Sequence, residues 1–210
     1  MKYILFAIAI MLILFSDYSK ERTIKPLKPK DHILAFGDSL TYGYNAKQSE
    51  SYPSVLAKLS GYTIINEGVL GDTSKDGLRR LPKLLKEEEF KLIILLFGGN
   101  DIIQGLSRED LKRNLKSMIA MAKKKNIDVL LISIPDFGLF GLSPLRLYDE
   151  VAKEENVVLL SGLMAGILED PSLKSDQIHP NAKGYKKMGE KIYERLKKEG
   201  WLNHKAIPKN

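Results

Sequence analysis

Three side chains in the sequence have the types and the order that nucleophilic acyl transfer needs. Ser39 lies in AFGDSLTYGY, a segment that follows an apolar run and must turn. A serine hydroxyl attacks a carbonyl carbon when a base lies within hydrogen-bond reach and a carboxylate fixes the tautomer of that base. Of the three histidines, His32 opens a strand and His204 lies near the C-terminus, which leaves His179 as the base. Asp176 precedes His179 by three residues and can turn back to its Nδ1 atom.

Each of these motifs also has an ordinary structural interpretation. Serine and aspartate cap helices well, so the Gly-Asp-Ser sequence around Ser39 is also typical of a turn. A lone Asp-x-x-His sequence, as at Asp176 and His179, is equally typical of a surface turn. The choice therefore depends on which other residues the fold brings to the same place.

Two further residues are candidate donors to the oxyanion that forms when a carbonyl is attacked. Gly71 follows a predicted strand and lies two residues before a predicted helix, so its N–H and that of Ser39 are both at turns into helices. Asn100 ends the GGND segment after the next strand and offers a neutral amide donor. Turn positions alone would also explain Gly71 and Asn100.

Short apolar runs alternate with helical patterns from residue 31 onward, and they predict the elements that carry these loops. The predicted strands are His32–Phe36, Thr63–Ile65, Leu92–Phe97, Val129–Ile134 and Val157–Leu160. The predicted helices are Ser51–Leu59, Thr73–Lys86, Arg108–Lys125, Pro144–Glu155 and Asn181–Lys198. This alternation predicts one α/β domain, a flavodoxin-like three-layer fold with a five-stranded parallel sheet in the order 2-1-3-4-5. Ligands of such sheets bind beyond the carboxyl ends of the strands, where this order would place Ser39 between Gly71 and Asn100.

The composition and the chain ends limit the class of protein. The 210 residues suffice for one sizeable core, and the absence of cysteine excludes disulfides and Cys-ligated metals. Residues 183–210 carry nine Lys or Arg against three Glu, a basic helix and tail that favour a solvated helix face, or contact with anionic lipid, over nucleic-acid binding.

The N-terminal segment predicts export. Lys2 precedes an apolar run over residues 3–15, which has the length of a signal-peptide core and is short for a spanning helix. Because the following residues match a cleavage site poorly, an uncleaved anchor is the other interpretation. We expect a signal peptide or anchor at 1–16, a polar tether at 17–30, the folded domain at 31–200 and a tail at 201–210. The protein would then be exported, periplasmic or extracytoplasmic, and tethered to a membrane by residues 3–15 if these are not cleaved.

The segments FGDSLT, NEGVLGDTS, GGND and DQIHP resemble the four sequence blocks of the GDSL, or SGNH, hydrolases, in order and at typical separations. The resemblance covers residues 32 to about 198 and is greatest to the thioesterase, lysophospholipase and arylesterase branch. The family patterns match at Asn66, Gly68, Gly71 and Thr73, and at Asp176, His179 and Pro180. The resemblance implies that Ser39 is the nucleophile, His179 the base and Asp176 its orienting carboxylate, with an oxyanion hole of Ser39, Gly71 and Asn100.

The predicted function is hydrolysis of acyl esters or thioesters through an acyl-enzyme, without a cofactor or a metal. Two apolar loops, 102–107 and 135–144, are candidates for an acyl groove, although they could instead cover the end of the sheet or touch a membrane. The candidate substrate-binding residues are Ile102, Ile103, Phe137, Leu139, Phe140 and Leu142. The alternative substrates are O-acetylated cell-wall or exported carbohydrates, and the alternative class is a non-catalytic binding module on the same scaffold.

The remaining motifs of the sequence point to no other chemistry. G-x-S-x-G, G-x-x-x-x-G-K-[ST], G-x-G-x-x-G and H-E-x-x-H are all absent, so a P-loop, dinucleotide or zinc-protease interpretation has no support. Asp38 and Asp101 are interpreted as loop-bracing residues that bond to the backbone. The expected partners are a small acyl-ester or lipid substrate and a membrane surface, with no nucleic acid and no obligate protein partner.

Overall fold

Parallel strands with near-continuous apolar sequence form the centre of the fold in the computed structural model, which describes residues 24–138 and 141–202. The five strands of the sheet are β1 (His32–Gly37), β2 (Thr63–Gly68), β3 (Phe90–Leu96), β4 (Asp128–Ile132) and β7 (Val158–Leu160). Their spatial order is β2-β1-β3-β4-β7, and every neighbouring pair is parallel. The α/β class and the five-stranded parallel sheet were therefore predicted correctly.

A small hairpin corrects the predicted strand order. Strands β5 (Pro135–Gly138) and β6 (Gly141–Pro144) pair with each other in antiparallel fashion and form a separate two-stranded sheet. Numbered along the chain, the order is 2-1-3-4-7 and not the predicted 2-1-3-4-5, because these two strands precede the edge strand, which itself lies at the predicted segment. The physical reason is local pairing, in which a segment predicted to be an apolar loop satisfies its own backbone hydrogen bonds.

The helices pack in two groups on either side of the sheet. They are α1 (Ser39–Tyr42), α2 (Tyr52–Ser60), α3 (Ser74–Glu87), α4 (Gly99–Ile103), α5 (Arg108–Lys124), α6 (Leu147–Glu154), α7 (Leu163–Leu168) and α8 (Ala182–Glu199), with short 3₁₀ turns at Gln48–Glu50 and Pro171–Leu173. Helix α2 packs against α8, whereas α3 packs against α5 and α5 against α6. Crossover connections between parallel strands are right-handed as a rule, which assigns these two groups to opposite faces of the sheet.

The packed part of the chain extends beyond both predicted domain boundaries. Leu27 is buried and donates its N–H to the carbonyl oxygen of Trp201 at 2.8 Å. Trp201 and Leu202 are also buried, and the indole N–H of Trp201 donates to Asp128 at 2.7 Å. The folded domain therefore begins before residue 31 and ends after residue 200, which shortens the predicted tether (17–30) and tail (201–210), because apolar burial holds Leu27 and Trp201 in the core.

The other terminal predictions fall outside the described residues. These are the signal peptide or anchor at 1–16, the tether at 17–23 and the tail at 203–210, and they stay predictions. Among the helices of the described part, none is long and apolar enough to cross a membrane.

The burial of Leu27 predicts a measurable cost of removing its side chain. We expect Leu27→Ala to lower the free energy of unfolding by about 2–4 kcal/mol, because the truncation leaves a cavity in the hydrophobic core. Urea unfolding of this variant and of the exposed control Lys30→Ala measures the difference. Equal stabilities of the two variants would show that the residues before β1 contribute nothing to the core.

Candidate active site

The carboxyl ends of the three neighbouring strands β1, β2 and β3 lie at one level. In the register of the sheet, Gly37 at the end of β1 pairs with Gly68 of β2 and Leu96 of β3. A side chain at Gly37 would collide with the Thr41 hydroxyl and the Leu96 carbonyl oxygen, and one at Gly68 would collide with the backbone of Tyr42. Glycine at these two positions therefore lets the chain turn from β1 directly into α1.

Ser39 is the first residue of α1, and its hydroxyl points to His179. The cap of this helix is Asp38, whose carboxylate accepts the N–H of Leu40 at 3.0 Å. Because Asp38 is the cap, the Ser39 hydroxyl does not fill that role. The Ser39 Oγ atom lies 3.0 Å from the Nε2 atom of His179.

Asp176 holds the other side of the imidazole. Its carboxylate lies 2.9 Å from the Nδ1 atom of His179 and accepts the N–H groups of Ile178 at 2.9 Å and His179 at 2.8 Å. Burial raises the pKa of Asp176, but these hydrogen bonds outweigh it, so the pKa lies below its usual value. An ionised carboxylate at Nδ1 assigns the proton to that nitrogen and leaves Nε2 as the acceptor from Ser39.

Hydrogen bonds within the loop that carries Asp176 and His179 fix its conformation. The N–H of Ser175 donates to the carbonyl oxygen of His179 at 2.9 Å. The Asn181 amide donates to the carbonyls of Ser172 at 2.9 Å and Lys174 at 3.2 Å, and its oxygen caps α8. The start of a long helix thus anchors the segment that positions the imidazole.

Two residues beside the imidazole were missed in the sequence. The Asn45 amide donates to Asp176 at 3.0 Å and to the hydroxyl of Ser175 at 3.1 Å. The ring of Tyr44 packs on the ring of His179, with centroids 4.7 Å apart. Asn45 has a left-handed backbone, φ 64°, and its place after a turn glycine signals only a turn. The contact with Asp176 joins residues 131 positions apart, which no local pattern reveals.

The candidate oxyanion donors meet at the loop between β2 and α3. Gly71 has φ 78°, a left-handed conformation that favours glycine. Asn100, in the first turn of α4, donates from its amide to the carbonyl oxygen of Asp72 at 2.9 Å. An amide nitrogen carries two hydrogens, so Asn100 keeps a second one for a ligand. Their roles in catalysis stay predictions.

An apolar cavity of about 30 Å³ opens beside Ser39. Its polar lining comes from Asp38, Ser39, Asn100 and His179, and its other lining residues are Leu40, Gly99, Ile103, Ile134, Pro135, Met164, Leu168 and Ile178. Ser39, Asn100 and His179 are thus brought together at one cavity, whereas Gly71 adjoins them through Asp72.

The structure places the predicted substrate-binding residues differently. Ile103 lines the cavity, but Ile102 and Leu142 pack against the hydrophobic core. Phe137 lies in β5, and Leu139 and Phe140 fall outside the described residues. The remaining apolar lining comes from Leu40, from Ile134 and Pro135 just after β4, and from Met164, Leu168 and Ile178. The last three residues lie in a segment that the sequence pattern marked only as a connection.

Two buried carboxylates lie under the site and bond to backbone N–H groups, as predicted. Asp101 accepts the N–H of Ser74 at 2.8 Å and its hydroxyl at 2.6 Å, which joins α4 to the start of α3. Asp38 is almost fully buried, and this burial, together with Asp101 and Asp72 nearby, raises the pKa of Asp38 to about 7. Within residues 24–138 and 141–202, no group of three or more His, Asp or Glu side chains is placed to hold a metal ion.

Known proteins resemble this chain over most of its length. The sequence model of the GDSL-like Lipase/Acylhydrolase family matches residues 35–187. The protein named Thioesterase 1/protease 1/lysophospholipase L1 of Escherichia coli (strain K12) is 32% identical over 158 residues, which span 72% of this chain and 76% of that protein. Esterase TesA of Pseudomonas aeruginosa is 31% identical over 175 residues, 79% of this chain and 87% of that protein.

A solved structure shares the fold. The crystal structure of TesA superposes with a TM-score of 0.74 and 30% sequence identity, covering 80% of this chain and 99% of that one. The family match over residues 35–187 includes every residue that lines the cavity.

The raised pKa of Asp38 predicts how stability depends on pH. From about pH 4 to about pH 7 the unfolded chain ionises Asp38 while the native state keeps the proton, so the free energy of unfolding falls as the pH rises. An Asp38→Asn variant keeps the cap and lacks the charge. Between pH 4 and pH 8, we expect the free energy of unfolding of this variant to rise by about 4 kcal/mol relative to that of the wild type.

Urea unfolding at both pH values measures this gain. Asp149→Asn, at an exposed aspartate, is the control that should show no such change. A constant difference between Asp38→Asn and the wild type would show that Asp38 is ionised in the folded protein across this range.

Proposed function

We propose that Ser39, His179 and Asp176 are the catalytic residues of this chain, which belongs to the GDSL-like lipase/acylhydrolase family and is a serine hydrolase of ester bonds. Its proposed substrates are apolar acyl esters or thioesters. One observation carries the assignment of these residues. The hydroxyl of Ser39, the imidazole of His179 and the carboxylate of Asp176 form a continuous hydrogen-bonded series, with distances of 3.0 and 2.9 Å. This is the arrangement of nucleophile, base and orienting group that acyl transfer requires.

The first half of the reaction makes an acyl-enzyme. His179 removes the proton of Ser39 at Nε2 as the Oγ atom attacks the carbonyl carbon, and the negative charge moves to the carbonyl oxygen. The N–H groups of Ser39 and Gly71 and the free amide hydrogen of Asn100 stabilise that oxyanion. The imidazolium then donates its proton to the departing alkoxide or thiolate, and the acyl group stays on Ser39.

The second half returns the enzyme to its starting state. Water gives a proton to Nε2 of His179, attacks the acyl carbon through its oxygen, and the carboxylic acid leaves as Ser39 regains its proton. Asp176 stays ionised and keeps the imidazole in one orientation in both halves. Asn45 and the backbone N–H groups of residues 178 and 179 keep Asp176 in place. Every step uses groups of this chain, so the proposal requires no cofactor.

The surface around the cavity supports an apolar substrate. The exposed large apolar side chains of the described part are Tyr42, Tyr44, Leu59, Val69, Leu70, Ile103 and Leu106. All of these except Leu59 follow the carboxyl ends of β1, β2 or β3, so they surround the site; we call these six residues the apolar rim. Contiguous exposed apolar surface is typical of a ligand-binding surface.

The small cavity volume adds a constraint on how an acyl chain binds. A volume of about 30 Å³ is small beside the roughly 150 Å³ of a cavity that encloses a benzene molecule, so a long acyl chain would extend beyond it. A long chain would therefore lie along the apolar rim, beginning at Ile103, which belongs to both the rim and the cavity lining. The small cavity by itself would also suit an acetyl group, which is the observation that favours the alternative of an O-acetylesterase.

We further propose that the protein is exported. The support is the sequence of the first 16 residues, in which a lysine precedes an apolar run of signal-peptide length. A membrane surface is a proposed partner only through this segment.

Substitution of the catalytic residues tests the proposed mechanism. We expect kcat on a p-nitrophenyl ester to fall about 10⁶-fold in Ser39→Ala, about 10⁴-fold in Asp176→Asn and about 10²–10³-fold in Asn100→Ala. The order follows from the loss of the nucleophile, of the imidazole tautomer and of one oxyanion donor. Hydrolysis by Ser39→Ala at the wild-type rate, in protein free of other esterases, would contradict the assignment.

Substitution of the rim tests the substrate class. We expect Leu70→Ser and Leu106→Ser each to lower the ratio of kcat/KM for an octanoyl ester to that for an acetyl ester by roughly fivefold, because each loses about 1 kcal/mol of apolar contact. Leu59→Ser, an exposed leucine away from the rim, should leave this ratio unchanged. If the wild type prefers the acetyl ester and the rim variants match Leu59→Ser, the acetylesterase alternative is favoured.

A further inference from the structure

Arg80 lies behind the site, and the proposed mechanism does not use it. It is in the second turn of α3, with 23% of its side chain exposed. The side chain runs to the carboxyl ends of β1 and β2, and its guanidinium lies 4.8 Å from the centre of the Phe36 ring. Arg79, its neighbour in the chain, is 81% exposed and pairs with Asp76 within the same helix.

The guanidinium of Arg80 donates to two different segments beside the catalytic serine. Its Nε atom donates to the carboxylate of Asp72 at 2.7 Å. Its Nη2 atom donates to the carbonyl oxygen of Glu67 at 3.2 Å and to that of Gly37 at 3.4 Å. The Glu67 carboxylate lies 3.6 Å from Nη1. The planar fork of an arginine suits several acceptors at fixed angles, which a lysine ammonium does not reproduce.

These acceptors belong to the segments that supply the proposed oxyanion donors. Gly37 comes two residues before Ser39 at the turn out of β1. Asp72 follows Gly71, and its carbonyl oxygen accepts the amide of Asn100 at 2.9 Å. The position of Gly71 relative to Ser39, and the orientation of the Asn100 amide, therefore depend on the loop that Arg80 holds through Asp72.

We propose that Arg80 is a positioning residue that sets the geometry of the oxyanion hole by joining the ends of β1 and β2 to the Gly71–Asp72 loop. The inference rests on the proposed function of Ser39, Gly71 and Asn100. Arg80 itself lies outside the lining of the cavity beside Ser39, so its effect passes through Asp72 and Gly37. Donors to an oxyanion act on the transition state more than on the bound substrate. Loss of Arg80 should therefore lower kcat and leave KM nearly unchanged.

The test compares Arg80→Gln and Arg80→Lys with the matched control Arg79→Gln. Each kcat is divided by the fraction of enzyme that a fluorophosphonate labels at completion, so that loss of folded protein does not count as loss of catalysis. We expect kcat on a p-nitrophenyl ester to fall about 30- to 100-fold in Arg80→Gln, since small misplacements of catalytic groups have effects of this size. Arg80→Lys should fall less, and Arg79→Gln should match the wild type.

A second variant keeps the test decisive if Arg80→Gln does not fold. Asp72→Asn preserves the shape of that side chain and the backbone carbonyl that Asn100 uses, but it removes the charge that Arg80 binds. We expect kcat to fall in the same direction as in Arg80→Gln and by a smaller factor, with KM within about twofold of the wild type.

The outcomes separate this inference from the proposed function. Wild-type kcat in Arg80→Gln, or in Asp72→Asn where Arg80→Gln is unfolded, would overturn the role of Arg80. A rise in KM at unchanged kcat, or equal losses in Arg79→Gln and Arg80→Gln, would also overturn it. If Ser39→Ala keeps its activity, the proposed function itself fails. An inactive Ser39→Ala beside a fully active Arg80→Gln refutes only the positioning role.

Discussion

The register of three parallel strands is the constraint on which the rest of the site depends. Because Gly37 pairs with both Gly68 and Leu96, the chain leaves β1, β2 and β3 at one level. Ser39, Gly71 and Asn100 lie in the three loops that follow, a few residues after the strand ends. Short loops are therefore enough to bring them together. A shift of one residue would place side chains where Gly37 and Gly68 now approach α1 and the end of β3, so these close approaches maintain the register.

Specific hydrogen-bond donors hold each of the four carboxyl groups near the serine. Asp38 and Asp101 are buried and bond to backbone N–H groups, and Asp72 pairs with Arg80. Asp176 is the least buried of the four and keeps its charge through two backbone N–H groups and the imidazole. Burial disfavours ionisation at Asp38, whereas donors favour it at Asp176, so two carboxylates on either side of Ser39 differ in their titration.

The sequence predicts the parts of the site that lie at strand ends and in short motifs. Ser39 and His179 are 140 residues apart, yet each adjoins an element that hydrophobic periodicity predicts well. Sequence patterns did not predict the role of Asn45, because its bond to Asp176 is a long-range contact. They also did not predict that α7 lines the cavity. They excluded Leu27 from the fold, because a single leucine in a polar, proline-containing segment carries no periodic signal, and they predicted a loop where β5 and β6 pair locally.

The central claim is that acyl transfer passes through the hydroxyl of Ser39, and trapping the acyl group tests it most directly. The wild-type enzyme is mixed with an excess of a p-nitrophenyl ester and quenched in acid within milliseconds, and its peptides are mapped by mass spectrometry. We expect the mass of one acyl group on the peptide that contains Ser39, rising with the initial release of p-nitrophenol. An acyl group on another residue, or steady turnover in which the Ser39 peptide never gains that mass, would contradict it.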